Sequence, residues 1–223
     1  MISVVIRTKN EERWVGYAIQ SIIENLENFE IIIVDNNSTD KTLEIVKFFK
    51  QDPLLNQNEK SNKYADISLL NIDEYTPGRS LNLGISKAKY EYIMIMSAHC
   101  VLKRFNQKEL IKNLKSYVAV FGKQIPVWNG KKISPRYIWS HFAENIVENM
   151  FSKLENRYFF HNAISFFNRD IFKEHPFDDY LQSKEDRYWA NEIVSSNKKY
   201  LYDPNIIVDH HYTAAGNTWK GIG

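Results

Sequence analysis

The sequence predicts an α/β fold in which an open, mostly parallel twisted sheet is flanked by helices. The first observation is a pair of short, β-branched apolar runs at 2–8 (ISVVIRT) and 29–35 (FEIIIVD), which are typical of buried strands. The second is that a pattern of helical period follows each run, so that the chain begins β-α-β-α. This alternation indicates a parallel sheet covered by helices.

The two early helices carry their apolar residues on one face. In the first helix this face consists of Val15, Ala18, Ile19, Ile22, Ile23 and Leu26. In the second helix, Leu43, Val46 and Phe49 recur at a spacing that suits packing on one side. We expect the second helix to begin at Ser38, a good N-cap, with Asp40 in its first turn.

The rest of the chain continues the mixture of strands and helices. Strands are predicted at 67–72, 92–96 and 117–126, and helices at 78–89 and 108–115. In the less regular second half we expect helices at 140–154 and 183–197, the latter with a cap-like Ser183. A strand and a short helix are expected within 158–172, and a closing strand within 199–212. We expect one domain over 1–223, with a nucleotide-binding half at 1–100 and an acceptor-side half at 101–223.

Composition excludes several classes of protein. The 223 residues are 43% apolar, which is enough for one substantial core. The net charge of +2 is small and the lysines are scattered, which argues against nucleic-acid binding. Cys100 is the one cysteine, so an internal disulfide is impossible and a reducing cytosol is expected. The strand at residue 2 leaves no room for a signal peptide, and we expect a cytoplasmic protein, either free or at the inner face of the membrane.

Polar clusters follow three of the predicted strands. They are 7–11 (RTKNE), 35–38 (DNNS) and 97–99 (SAH). In open α/β sheets, ligands bind outside the carboxyl ends of the strands. If the three strands are neighbours, the clusters converge on one crevice. The alternative is that Ser38, and less readily Asp35, caps the following helix.

Five blocks of the sequence, in this order, resemble the family 2 glycosyltransferases of the GT-A fold. They are ISVVIRTKNEE (2–12), IIIVDNNSTDKT (31–42), GRSLNLGISKAKYEYIMIMSAHC (78–100), HNAISFFNRDIF (161–172) and FDDYLQSKEDRYWANEI (177–193). Any single block is a weak signal, whereas the ordered set is specific and extends over roughly 2–212. The resemblance implies an enzyme that moves a sugar from a nucleotide-diphosphate sugar to an acceptor.

The resemblance implies a set of donor-binding residues. Those expected to hold the base and ribose are Thr8, Asn10, Glu11 and Asp35. A carboxylate suits this role because it accepts hydrogen bonds from a base N–H or a ribose hydroxyl. Arg79 and Asn82 match the block that approaches the diphosphate, and a guanidinium is a good phosphate partner. The alternative for Arg79 is a solvated residue at a helix start.

The family's metal-binding motif is altered in this chain. Where the family usually has Asp-x-Asp, this chain has Ser97-Ala98-His99. Such a motif holds a divalent cation, Mn²⁺ or Mg²⁺, at the diphosphate; imidazole binds Mn²⁺ but suits Mg²⁺ poorly. The candidate ligands are His99, His210 and His211. Alternatively, His99 donates a hydrogen bond directly to a phosphate oxygen. SAH and the block FGKQIP (121–126) resemble a rhamnosyltransferase-like branch. The alternatives are a strand-capping His99 and a surface pair at 210–211.

The resemblance also implies the catalytic pair. Asp186 matches the general base that deprotonates the acceptor hydroxyl in inverting transfer, and Glu185 would orient the site. A helix start favours the ionised carboxylate, although acidic residues there are also ordinary partners of the helix dipole. His161 and Asn162 are expected to contact sugar hydroxyls. Trp189 either stacks on a sugar ring or packs in the core.

The acceptor is expected to be a glycan or a lipid-linked glycan, in the synthesis of a surface polysaccharide such as capsule or O-antigen. The aromatic start of 137–154 could rest on a membrane, with core packing as the alternative. Two other functions compete. A sugar-nucleotide nucleotidyltransferase would open with a Gly-rich loop that RTKNEERWVG lacks. An inactive nucleotide-sugar-binding module would explain the lost Asp-x-Asp, but not the retained Asp35, Arg79 and Glu185-Asp186.

Overall fold

The computed structural model describes residues 1–51, 65–214, 216 and 219. Its strands are β1 (Ile2–Thr8), β2 (Phe29–Asp35), β3 (Ala65–Asn71), β4 (Tyr92–Met96), β5 (Cys100–Arg104), β6 (Ala119–Trp128), β7 (Lys131–Lys132), β8 (Val147–Glu148), β9 (Phe151–Ser152), β10 (Arg157–Tyr158), β11 (Ile164–Asn168) and β12 (Tyr200–His211). The helices are α1 (Val15–Asn25), α2 (Thr42–Gln51), α3 (Pro77–Ser86), α4 (Gln107–Leu114), a 3₁₀ turn (Tyr137–His141), α5 (Ile171–Glu174) and α6 (Glu185–Ser195).

The main sheet has the strand order β3-β2-β1-β4-β11-β6-β12-β5. Strands β3, β2, β1 and β4 run parallel to one another, and β6 runs parallel to β12. Strand β11 is antiparallel to both β4 and β6, and β5 is antiparallel to β12. The predicted fold class, an open and mostly parallel sheet flanked by helices, is therefore confirmed.

Strand direction decides which segments meet at the edge where a ligand would bind. Because β6 is antiparallel to β11, which is itself antiparallel to β4, the strands β1, β2, β4, β6 and β12 all end at the same edge. Strand β11 begins at that edge. Segments that follow β1 and β4, precede β11 and close β12 are thus brought together, although they lie far apart in the sequence.

The two faces of the sheet are covered by different layers. On one face, the alternate residues Ile2, Val4 and Ile6 of β1 pack with buried residues of α1, α2 and α4. On the other face, Val5 packs with α3, α6 and a cluster of aromatic side chains. The alternation of strand side chains between the two faces therefore directs odd-numbered residues of β1 towards α3 and α6.

Gly84 on α3 allows this helix to approach the sheet closely. A Cβ at position 84 would lie 2.5 Å from Val5 Cγ1 and 3.2 Å from Val34 Cγ2. We expect Gly84→Ala to lower the free energy of unfolding by about 1–3 kcal/mol, because the overpacking exceeds the gain in helix propensity. The measurement is equilibrium unfolding in urea.

Gly16→Ala on α1 is the matched control for that substitution. Its added Cβ would meet Ile45 Cγ2 at an ordinary 3.4 Å. This variant should keep or raise the free energy of unfolding, by up to about 1 kcal/mol. Equal losses in the two variants would show that the contact between α3 and β1 is not the cause.

The predicted helix at 140–154 is wrong. The segment instead forms the 3₁₀ turn and the short strands β8 and β9, with β8 paired to β12. Asn149 has a left-handed φ of 45°, which is incompatible with a continuous helix. Trp139 and Phe142 are buried in the aromatic layer, so core packing of this aromatic start is confirmed and a membrane-facing helix is not. Pairing with β12 has overridden the local helical period.

Two predicted helix starts are also wrong. The hydroxyl of Ser38 donates to Asp35 Oδ1, and α2 begins only at Thr42, whose N–H donates to Asp40 Oδ1. Helix α6 begins at Glu185 after Lys184, which has a left-handed φ of 69°, and no side chain caps it. The predicted strand at 92–96 is found with the same bounds, and the predicted strands at 67–72, 117–126 and 199–212 and the remaining helices are found with shifted ends.

In the described part of the chain, every helix is too short or too polar to span a bilayer. The division of 1–223 into a nucleotide-binding half and an acceptor-side half stays a prediction, and it includes residues 52–64, 215, 217, 218 and 220–223, which lie outside the described residues.

Candidate functional site

A cleft of about 270 Å³ lies at the edge of the sheet where these strands end. Its wall is formed by the end of β1, the turn between β4 and β5, the start of β11, the first turn of α6 and the end of β12. The predicted site residues that line it are Thr8, Glu11, Ser97, His99, His161, Asn162, Glu185, Asp186 and His210. The proposed base Asp186 and His99 thus share one cleft.

His99 is held by Glu11, which lies 88 residues earlier in the sequence. The distance from His99 Nδ1 to Glu11 Oε1 is 2.9 Å, and both side chains are largely buried. This contact joins the segment after β1 to the turn after β4. Because Glu11 takes Nδ1, the other ring nitrogen, Nε2, is left for a ligand in the cleft.

Glu185 and Asp186 form an acidic pair in the first turn of α6. Both are buried, and Asp186 Oδ2 accepts a hydrogen bond from the Asn162 N–H at 3.2 Å. Burial raises the pKa of Asp186, and the Asn162 hydrogen bond and nearby arginines oppose that shift. Burial likewise raises the pKa of Glu185, against the opposing charge of Arg7. A carboxylate with a raised pKa is a stronger proton acceptor once it is ionised.

Arg7 supplies a cation to this pair. Its guanidinium donates to Glu185 Oε1 at 3.2 Å across 178 residues of sequence. Arg7 lies on β1 two residues after Val5, so the alternation of the strand directs it to the face that carries α6. It lines the cleft beside Glu185 and Asp186.

Two histidines meet at the same buried glutamine. His161 Nδ1 lies 2.9 Å from Gln124 Nε2, and it also accepts a hydrogen bond from the Ala163 N–H at 3.2 Å. His210 Nδ1 lies 2.8 Å from Gln124 Oε1. His210 Nε2 is buried and has no hydrogen-bond partner among the described residues. The Nδ1 atom of each ring is therefore used by Gln124, whereas Nε2 is not. Both rings line the cleft.

Asn162 presents an unused donor to the cleft. Its Oδ1 accepts from the Ser165 hydroxyl at 3.1 Å, whereas its buried Nδ2 has no partner in the described part of the structure. A buried donor without a partner is costly, so this amide is suited to an oxygen of a bound ligand. This agrees with the predicted contact of Asn162 with a sugar hydroxyl.

Burial of His161 predicts a loss of stability in acid. Burial lowers the pKa of His161 to about 4 from an ordinary value of 6.5. Below pH 6.5, His161 therefore binds a proton in the unfolded chain but not in the folded chain. The free energy of unfolding consequently falls as the pH falls. From about pH 7.5 to about pH 5, this histidine should reduce the free energy of unfolding by about 2 kcal/mol.

The check is to compare the wild-type chain with His161→Gln by urea unfolding at both pH values. The variant should lose about 2 kcal/mol less than the wild type over this interval. An identical pH dependence in the two chains would contradict the burial of a neutral imidazole at this position.

Two of the predicted nucleotide-binding residues, Asp35 and Asn10, form hydrogen bonds within the loops after β1 and β2, and their contact with a nucleotide stays a prediction. Asp35 accepts hydrogen bonds from the Thr8 hydroxyl and from the N–H and hydroxyl of Ser38. Asn10 Oδ1 accepts from the Thr39 N–H. Within the described residues, neither Asp35 nor Asn10 lines the cleft. Their polar groups fix the two loops that follow β1 and β2.

Arg79 and Asn82 contact other segments of the protein, and their contacts with a diphosphate stay a prediction. Arg79 forms an ion pair with the exposed Glu74. Asn82 Nδ2 donates to the Phe177 carbonyl and to Asp179 Oδ1. These contacts attach α3 to the segment before α6, and neither side chain lines the cleft in the described part of the chain.

Trp189 and His211 lie away from the cleft. Trp189 is 2% exposed and packs against Phe160 and Phe167, so the predicted sugar stacking is wrong and core packing is correct. The His211 ring stacks on Trp14 at a centroid distance of 4.0 Å. Cys100 is buried and its pKa is raised well above the usual value by burial, in agreement with a packing role.

The side chains do not by themselves complete a cation site. Among residues 1–51, 65–214, 216 and 219, no three His, Cys, Asp or Glu side chains form a group that could hold a metal ion. The prediction that His99, His210 and His211 supply ligands to a cation bound with a diphosphate stays a prediction. His99 and His210 remain close, with ring centroids 4.9 Å apart, but Mg²⁺ or Mn²⁺ would need further oxygen ligands.

Sequence reasoning missed four cations that line the cleft: Arg7, Lys9, Lys184 and Arg187. Arg7 could have been found, because a charged residue inside an apolar strand that shares a face with Val5 must reach a buried partner. Arg187 directly follows the catalytic candidate Asp186. Lys184 precedes the pair in a left-handed conformation that no pattern in the sequence indicates.

Comparison with known proteins agrees with this architecture. The profile of the family described as "Glycosyl transferase family 2" matches residues 3–176. Poly(ribitol-phosphate) beta-N-acetylglucosaminyltransferase TarS of Staphylococcus aureus is 24% identical over 215 residues, which make up 90% of this chain and 35% of that protein. A dolichyl-phosphate-sugar glucuronosyltransferase of Methanococcus voltae is 27% identical over 115 residues, which cover 50% of this chain and 32% of that protein.

Two solved structures share the fold. Crystalline TarS 1-349 with UDP-GlcNAc superposes with a TM-score of 0.71 at 18% identity, over 96% of this chain and 59% of that chain. Mannosyltransferase PcManGT of Pyrobaculum calidifontis, with GDP-Man and Mn²⁺, superposes with a TM-score of 0.67 at 18% identity, over 98% and 59% of the two chains. This chain spans about a third of the two curated relatives. The match of the family profile over most of the sequence shows that the chain belongs to glycosyl transferase family 2, with the GT-A fold.

Proposed function

We propose that this chain is an inverting glycosyltransferase that uses a nucleotide-diphosphate sugar. The observation that carries the proposal is the buried pair Glu185–Asp186, which lines the same cleft as His99 and His161 at the ligand-binding edge of the sheet. Retention of a buried acidic pair beside Arg7 is costly for a structural element alone. It is explained if one of these carboxylates must accept a proton.

In the proposed reaction, Asp186 is the general base. The acceptor O–H gives its proton to the Asp186 carboxylate while its oxygen forms a bond with the anomeric carbon of the donor. The bond from that carbon to the diphosphate oxygen breaks, and its electron pair leaves with the nucleoside diphosphate. Because attack and departure occur on opposite sides in one displacement, the anomeric configuration is inverted.

Other residues of the cleft position the donor in this proposal. Asn162 Nδ2 and His161 Nε2 are suited to sugar or phosphate oxygens, since neither atom has a hydrogen-bond partner among the described residues. Arg187 and Lys184 add positive charge to the cleft beside the first turn of α6. Thr8, Glu11 and Ser97 lie where the base and ribose of the donor are expected.

We propose that a divalent cation binds only together with the diphosphate of the donor. Bound with the diphosphate, it would neutralise charge on the leaving group. Since the described side chains form no complete site, most of its ligands must come from phosphate oxygens, with His99 and His210 beside them. The relatives crystallised with UDP-GlcNAc and with GDP-Man and Mn²⁺ support a donor of this class.

The acceptor is proposed to be a glycan or a lipid-linked glycan of a surface polysaccharide, such as capsule or O-antigen. The relative named for poly(ribitol-phosphate) supports a polymer as the acceptor. We infer that the reaction takes place in the cytoplasm, either free in solution or at the inner face of the membrane. The unpaired Cys100 suits a reducing compartment.

The test is a panel of UDP-, GDP- and dTDP-sugars with and without Mn²⁺, with release of the nucleoside diphosphate as the readout. Slow hydrolysis of one donor, lost in Asp186→Asn, would support the proposal. Synthesis of a nucleotide sugar from a sugar phosphate and a nucleoside triphosphate would overturn it in favour of a nucleotidyltransferase. Tight donor binding with no turnover towards any glycan acceptor would indicate a binding module instead.

A further inference from the structure

Gln124 lies outside the cleft lining but contacts two histidines that form it. The side chain is 2% exposed on β6, between β11 and β12 in the sheet. Each end of its amide is used, since one end meets His161 Nδ1 at 2.9 Å and the other meets His210 Nδ1 at 2.8 Å. A buried amide with both ends paired is a rigid connection between the two rings.

The backbone fixes the direction of this hydrogen-bond chain. The Ala163 N–H can only donate, and it lies 3.2 Å from His161 Nδ1. His161 Nδ1 must therefore be an acceptor, so the proton of the neutral ring is on Nε2. The amide end that faces His161 Nδ1 must then be the NH₂ group, which turns the Gln124 carbonyl oxygen towards His210.

The tautomer of His210 follows in the same way. A carbonyl oxygen accepts but cannot donate, so His210 must carry its proton on Nδ1. His210 Nε2 is then a bare lone pair, and it is the atom that has no partner among the described residues. A second proton on His210 would leave a buried Nε2–H without a partner among the described residues, and a ring that accepts at Nδ1, as His161 does, is neutral.

We propose that Gln124 is a positioning residue that gives two similar histidines opposite chemical roles. His161 presents an N–H to the cleft, and His210 presents a lone pair. A ligand oxygen that accepts a hydrogen bond belongs at His161, and a hydroxyl donor or a cation belongs at His210. The use of these two nitrogens by a nucleotide-diphosphate sugar rests on the proposed function, whereas the tautomers themselves do not.

The first experiment measures the tautomers directly in the full chain without ligand. Long-range ¹H–¹⁵N correlation on ¹⁵N-histidine protein at neutral pH distinguishes Nδ1–H from Nε2–H for each ring. The chain has 6 histidines, and the signals of interest are assigned by their loss in His161→Gln and His210→Gln. We expect Nε2–H at His161 and Nδ1–H at His210. The reverse tautomer at either ring would overturn the proposal.

The second experiment uses Gln124→Glu, which keeps the shape but replaces the donor NH₂ by an acceptor oxygen. His210 should keep Nδ1–H, because a carboxylate still accepts from it. His161 should change, gaining a proton on Nδ1 at the expense of the Ala163 hydrogen bond, because a charge-assisted hydrogen bond to a carboxylate oxygen about 2.9 Å away is stronger than the neutral one of 3.2 Å from the backbone. Gln20→Glu on the exposed side of α1 adds the same charge at the surface and should alter neither ring. If Gln124→Glu folds and leaves His161 unchanged, the role of Gln124 is refuted; if it fails to fold, the wild-type tautomers decide.

Activity provides the last readout. Residues that hold a ligand-contacting histidine by a hydrogen bond typically alter activity by about 10–100-fold when they are replaced. We therefore expect Gln124→Glu to lower kcat by about this factor, with a smaller change in KM. A change in KM alone, or equal activity in Gln124→Glu and Gln20→Glu, would contradict positioning. Absence of turnover in the wild type would refute the proposed function and leave the tautomer measurements to decide this inference.

Discussion

Asp186→Asn is expected to abolish sugar transfer while the donor still binds. Loss of a positioned general base typically lowers the rate by about 10²–10⁴-fold, and an amide cannot take up the acceptor proton. The fold should persist, since Asn can still accept the hydrogen bond from the Asn162 N–H with its carbonyl oxygen. Because a neutral amide has a smaller desolvation cost than a carboxylate, the variant should be at least as stable as the wild type.

The measurements are kcat for release of the nucleoside diphosphate, donor affinity by calorimetry, and urea unfolding. Asp170→Asn is the matched control, because Asp170 is exposed at the start of α5 and paired only with Lys173 among its described ion pairs. It should retain wild-type activity. Turnover in Asp186→Asn above about a tenth of the wild-type rate would exclude Asp186 as the base.

Arg7→Gln is expected to be the most destabilising polar substitution in the cleft. Arg7 contacts Glu185 Oε1, and its removal leaves this buried carboxylate without its ion-pair partner. Removal of one partner of a buried ion pair typically costs about 3–5 kcal/mol. Arg79→Gln is the matched control, because its partner Glu74 is exposed, and surface pairs contribute about 0–1 kcal/mol.

The destabilisation should also depend on pH. Arg7 opposes the rise in the pKa of Glu185 and Asp186, so its loss raises both pKa values further. A carboxyl group with a raised pKa in the folded state stabilises the fold at low pH and loses this contribution as the pH rises. The difference between Arg7→Gln and wild type should therefore be largest near neutral pH and shrink in acid. Equal losses for Arg7→Gln and Arg79→Gln at every pH would contradict burial of the pair.

Catalysis should respond in the same direction. If Asp186 acts as the base, a higher pKa leaves less of it ionised, and the acidic limb of the rate profile should move to higher pH in Arg7→Gln. The profile of Arg79→Gln should coincide with that of the wild type. An unshifted acidic limb would indicate that another group accepts the acceptor proton.

Much of the fold could be predicted because its strands are locally unambiguous. The apolar runs of β1, β2 and β4 are short and β-branched, and the helices between them present one apolar face. The rule that ligands bind at the carboxyl ends of strands then correctly brought Thr8, Glu11 and His99 to one cleft. These inferences need only the alternation along the chain and the direction of each strand.

Other features depended on contacts between distant segments. The segment 140–154 has a helical period, but pairing of β8 with β12 is worth more than local propensity. Trp189 has the spacing of a cleft residue and yet enters the aromatic layer, because α6 turns that side inward. Arg79 and Asn82 match the diphosphate-binding block, but they contact Glu74 and the segment before α6.

The sequence by itself determined the class of the sheet, the family, and the acidic pair at the start of α6. Only the tertiary structure decided the partners of the cleft residues: Glu11 for His99, Arg7 for Glu185, and Gln124 for both His161 and His210. The physical reason is that strand and helix periods are set by neighbouring residues, whereas the charge and tautomer of a buried group are set by whichever atoms the fold brings within about 3 Å of it.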